Sequence, residues 1–74
     1  MKTEIELTEL EILILHALTK EYRTTQQIRY ILEGKGYEAS SYDISRGLYV
    51  LVRLGKVTRK MGRRVYKYRE IDGE

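Results

Sequence analysis

The chain carries two periods of apolar and polar positions. Between residues 8 and 54 apolar side chains recur every three or four positions; between 56 and 69 they alternate by two. A 3.6-residue repeat gathers one stripe on a helix face, and a two-residue repeat gathers every second side chain on a strand face. Three helices followed by a hairpin are expected. The first opens at Thr8, which with Glu11 forms a capping box, and runs to about Lys20 over the core stripe Leu10, Ile14, Ala17 and Leu18. Residues 21–23 read as a short turn. Thr24 or Thr25 caps the second helix, and Thr24 with Gln27 makes a second box. Its stripe is Ile28, Ile31 and Leu32, and Gly34 and Gly36 supply left-handed closure. Ser40 or Ser41 caps the third helix, whose stripe is Ile44, Leu48 and Leu51, closed by Gly55 and Val57.

Beyond Gly55 the strands 56–61 and 64–69 flank Gly62 and Arg63, which suit a two-residue type II′ turn. That register pairs Met61 with Arg64, Arg59 with Tyr66 and Val57 with Tyr68. Val57, Arg59, Tyr66 and Tyr68 then share the inner face, with Arg59 able to stack on Tyr66. Lys56, Thr58, Lys60, Val65, Lys67 and Arg69 share the other. Residues 1–7 read as an arm or short strand, 8–71 as one domain and 72–74 as a frayed tail.

The first helix is apolar beyond its stripe. Ile12, Leu13 and Leu15 widen the apolar girth, and such a helix must be covered on more than one side. The N-terminal arm or a second copy of the chain can supply that cover.

Charge adds direction. The formal net charge of +3 hides a segregation: residues 1–11 hold four acids and one lysine, whereas residues 53–69 hold eight basic residues and no acid. A polyanion is drawn to the second half. Without cysteine there is no disulfide and no thiolate metal site. No apolar run approaches the ~20 residues that span a bilayer, and the acidic start lacks a signal-peptide pattern. An intracellular, cytoplasmic, soluble protein is expected, with no membrane partner.

Candidate chemistry is sparse. His16 stands alone, without the partners that a zinc site or a catalytic relay needs. Gly34-Lys35-Gly36 follows no strand and lacks the phosphate-loop spacing. No nucleophile, base or metal cluster emerges, so an enzyme is not expected, and no cofactor or small-molecule ligand is called for. The outer face of the third helix is the exception to this blandness. Tyr42, Ser45, Arg46, Tyr49 and Arg53 cluster opposite Ile44, with no acid among them.

The run Ile44-Ser45-Arg46-x-Leu48-x-x-Leu51-x-x-x-Gly55-x-Val57 resembles the recognition helix and exit turn of winged helix-turn-helix DNA-binding domains, and the resemblance extends over residues 7–69. It implies an α+β fold, mostly α: three helices and a C-terminal two-stranded β-hairpin wing. It implies that the third helix enters the major groove of double-stranded DNA. Tyr42, Ser45, Arg46 and Tyr49 then face base edges, with Arg46 the candidate bidentate guanine reader. Ser40, Ser41 or Tyr42 meets phosphates at the helix start, and Arg53 returns to the backbone at its end. Arg63 and Arg64 at the wing tip, with Lys60 beside them, reach phosphates or the minor groove. The implied role is transcriptional regulation, repression by occlusion, and the apolar excess at Ile12, Leu13 and Leu15 adds the expectation of a homodimer joined there. Two other readings suit the same features: a winged-helix protein-interaction module, and a non-specific nucleic-acid binder using the basic hairpin alone.

Overall fold

The computed structural model describes residues 7–71. The expected arm, apart from Leu7, and the expected tail at 72–74 lie outside the described residues. Three helices, α1 (Glu9–Ala17), α2 (Thr25–Gly34) and α3 (Ser41–Arg53), pack with strands β1 (Arg23–Thr24), β2 (Val57–Met61) and β3 (Tyr66–Glu70). The strands form one antiparallel sheet in the order β1-β3-β2. The fold is α+β and mostly helical.

Local chemistry sets the helix starts. Thr8 with Glu11 and Thr24 with Gln27 both form complete capping boxes, and Ser40 accepts the Asp43 N–H at 3.0 Å to open α3. The ends follow two rules. At α2 and α3 a glycine in the left-handed region, Gly36 at φ 82° and Gly55 at φ 78°, turns the chain. The next N–H, of Tyr37 or Lys56, then returns to a carbonyl five residues back. α1 instead stops at Ala17, short of the expected Lys20. Leu18 leaves the helix extended, with its side chain in the core, and the Thr19 carbonyl accepts the Glu70 N–H at 3.0 Å. A tertiary bond to the end of β3 thus takes over the backbone that would have continued the helix.

Seven side chains are fully buried: Ile14 from α1, Ile28 and Leu32 from α2, Ile44, Leu48 and Leu51 from α3, and Val57 from β2. Ala17, Leu18 and Tyr68 complete the core, and Leu10 and Ile31 pack at its margin. α1 reaches α3 most closely at Gly47, where an added Cβ would stand 2.8 Å from Ile14 Cδ1.

The hairpin departs from the expected register by two residues. Met61 pairs with Tyr66, Arg59 with Tyr68 and Val57 with Glu70. Gly62 does not take a positive φ, so the type II′ turn does not form. Its N–H instead donates to the Val65 carbonyl at 2.8 Å, closing a four-residue loop over residues 62–65. The base fixes this: Ile71 N–H donates to the Lys56 carbonyl at 3.1 Å, and Glu70 is held by Thr19. Two extra residues are therefore pushed into the tip. Because the slip is even, the side chains of β2 and β3 keep their expected faces, whereas Val65, expected on the outer face, falls in the tip loop and lines the cleft beside Tyr66. The two-stranded hairpin is also joined by a third strand. Arg23 pairs with Tyr68 and Thr24 with Lys67, which makes β3 central. Among the described residues no helix is long and apolar enough to cross a membrane.

Candidate nucleic-acid interface

The outer face of α3 is open to solvent and internally ordered. Tyr42 is 68% exposed and Tyr49 54%. Arg46 lies over the Tyr42 ring at 5.9 Å, and Arg53 over the Tyr49 ring at 5.8 Å. Both are i,i+4 pairs, the spacing at which helical side chains meet. Each ring narrows the wandering of a long cation while its N–H groups stay available. Ser45, exposed, lies on the wing side of this face.

The two serines at the start of α3 have different surroundings. Ser40 lines a 440 Å³ groove with Arg29, Glu33, Glu38, Ala39 and Asp43. Its hydroxyl is engaged by the cap, and the neighbouring carboxylates repel an anion. Ser41 instead lines an open 530 Å³ cleft with Ser45, the start of α2 and the hairpin. Arg29 Nη1 donates to Ser41 Oγ at 3.4 Å, while its Nε lies 3.4 Å from Glu33 Oε2. The cleft that Ser41 lines holds no carboxylate, unlike the groove at Ser40.

Thr24, Thr25 and Gln26 from the first turn of α2 form one side of that cleft, and Val65, Tyr66 and Tyr68 the other. Arg59 stacks on Tyr66 at 4.3 Å, the contact expected from sequence, here made diagonally because Tyr68 is its direct partner. Tyr66 and Tyr68 rings sit 6.4 Å apart at 52°. The concave surface combines hydroxyls, an amide and a helix N-terminus, with an arginine behind one wall. Such donors suit a phosphodiester backbone. Thr24, Thr25, Gln26, Val65, Tyr66 and Tyr68 line this cleft without a DNA contact expected from sequence. Only the polar run at the start of α2 hints at the first three.

Arg63 and Arg64 are exposed at the hairpin tip, beside Val65. Lys60 stands three residues before Arg63, on β2. It lies on the opposite sheet face, paired across the ladder with Lys67, and its Nζ stands 4.3 Å from the Tyr22 ring. On α1, Ile12 is 41% exposed, whereas Leu13 and Leu15 are half-buried against the core. The open apolar surface of α1 is thus narrower than its sequence implies. His16 is exposed in the last turn of α1. Among the described residues no group of three or more acidic or histidine side chains is placed to hold a metal ion.

No family model matches the chain, and comparison with curated proteins and with solved structures returned no match.

Proposed function

We propose that the chain is a winged helix-turn-helix DNA-binding module, with α2 and α3 as the helix-turn-helix and β2–β3 as the wing. The observation that carries this reading is the exposed face of α3 formed by Tyr42, Ser45, Arg46, Tyr49 and Arg53, with Glu11 and Asp43 bordering it only beside Arg46. Its two Tyr–Arg stacks stand next to a cleft furnished with hydroxyl, amide and backbone N–H donors. The carboxylates of Glu33, Glu38 and Asp43 lie on the other side of the α3 start. A duplex is therefore steered toward the wing side, with α3 in the major groove.

In this arrangement Arg46 and Tyr49 meet base edges, with Ser45 beside them and Tyr42 holding Arg46 in place. Arg46 pairs with guanine through its planar fork. Arg53, stacked on Tyr49, meets the backbone at the far end of α3. Ser41, Thr25 and Gln26 hold a phosphate at the cleft, and Arg63 and Arg64 hold the backbone or minor groove beyond it. The reading extends to a transcriptional repressor that occludes its site as a homodimer, with Ile12 at the contact between copies. Selection of bound duplexes from a random pool, followed by competition against random duplex, tests it. Enrichment of a defined site supports the reading, and equal binding to all duplexes contradicts it.

A further inference from the structure

The sheet has a second basic face, turned away from the cleft. Side chains alternate across a strand, so Thr58, Lys60, Lys67 and Arg69 share this outer face, with Tyr22 against it. Lys60 and Lys67 are direct partners on adjacent strands. Like charges placed opposite one another destabilise a sheet, and among the described residues no carboxylate forms an ion pair with either, or with Arg69. Tyr22 gathers the cluster: Lys60 Nζ lies 4.3 Å and the Arg69 guanidinium 5.4 Å from its ring. Edge protection accounts for a lysine on β2. It does not account for Lys67 and Arg69, because β3 is the central strand. An anion lying across the strands would relieve the repulsion.

We infer that this outer face binds the phosphate backbone of a second DNA duplex, so that one copy of the chain joins two duplex segments. The second ligand is duplex DNA because the Tyr22 ring already carries the Lys60 ammonium and the Arg69 guanidinium, which an unstacked base would have to displace. A lipid surface fits poorly, since binding there needs apolar side chains to bury, and of these five only Tyr22 carries an apolar ring. The inference rests on the proposed DNA reading of α3 for its first duplex only; the second is held by residues that take no part in that interface.

A bead-bound duplex and a free fluorescent duplex test this, with the protein as the only link. The intact chain is expected to retain the fluorescent duplex on the beads. Lys60→Gln with Lys67→Gln should reduce that retention about tenfold or more, because two phosphate contacts are lost. The same variant should hold a single duplex as the intact chain does. Lys60→Gln alone, at an exposed position, should give an intermediate loss with the fold intact by circular dichroism. Undiminished retention by the double variant would overturn the inference and leave the α3 reading standing, since a dimer presenting two α3 helices would explain it. Retention that survives Arg46→Ala with Tyr49→Ala on both duplexes, yet vanishes with Lys60→Gln and Lys67→Gln, would make the outer face the only DNA surface. That result removes the α3 reading and the two-surface arrangement together. Co-sedimentation with anionic vesicles without duplex retention would assign the face to lipid and overturn the inference.

Discussion

Gly47 decides how close α1 and α3 can come. A methyl group there meets Ile14 Cδ1 at 2.8 Å, so the far end of that fully buried side chain must shift. Overpacking a core costs about 1–3 kcal/mol, whereas replacing glycine by alanine inside a helix returns about 1 kcal/mol. Gly47→Ala should therefore lose about 1 kcal/mol net in urea unfolding, and unchanged or raised stability would mean that Ile14 repacks freely. At the wing tip, Arg63→Ala should weaken binding to every duplex by a similar factor and lower the magnitude of the salt slope by about one. A loss confined to one sequence would move Arg63 from backbone to base contact. Most core residues were legible because each is an apolar position in a helical repeat. Gly47 was not: a glycine in a repeat marks close approach only once the opposing side chain is known. Ser40 and Ser41 were equivalent caps in sequence. They became distinct only when the fold set Glu33 and Glu38 beside one and Gln26 beside the other.

The helix starts were readable from two capping boxes, because cap and partner lie three residues apart and need no distant contact. Thr24 does two jobs, capping α2 and pairing with Lys67 in β1. Thr24→Ala should cost about 1 kcal/mol in thermal or urea unfolding, while Thr25→Ala should cost under about 0.5 kcal/mol. The reverse order would assign the cap to Thr25. Elements fixed by distant partners were not readable. The end of α1 depends on Thr19 meeting Glu70, and the two residues of β1 hold no period of their own. The hairpin slip has the same origin. Gly62-Arg63 is a sound local turn signal, but the bonds at the base of the sheet set the register and leave the tip to close with four residues. The sheet faces survived because they depend on parity alone, which is why the Arg59–Tyr66 stack was foreseen with its pairing wrong.

At the level of the molecule, the two proposals place nine of the cations on two surfaces. Arg29, Arg46, Arg53, Arg59, Arg63 and Arg64 are assigned to the α3 side, and Lys60, Lys67 and Arg69 to the back of the sheet. The sequence shows the basic run but not this division, which follows from strand alternation and Tyr22. The apolar girth of α1 is likewise partly absorbed by the core, leaving Ile12 as its main open position. Ile12→Glu alone should therefore convert the proposed homodimer to a folded monomer in sedimentation equilibrium, and weaken binding to a near-palindromic site with half-sites about 34 Å apart. A monomer mass for the unaltered chain would remove the dimer and leave the DNA face intact. The central claim is that α3 reads sequence, and competition between a selected duplex and random duplex tests it most directly. The unaltered chain should prefer the selected site by about 10³-fold or more. Arg46→Ala should forfeit about 1–3 kcal/mol of that preference, relaxing discrimination at one base pair. A selection that enriches no sequence, or an Arg46→Ala variant with the full preference retained, would contradict the reading of α3 as a recognition helix.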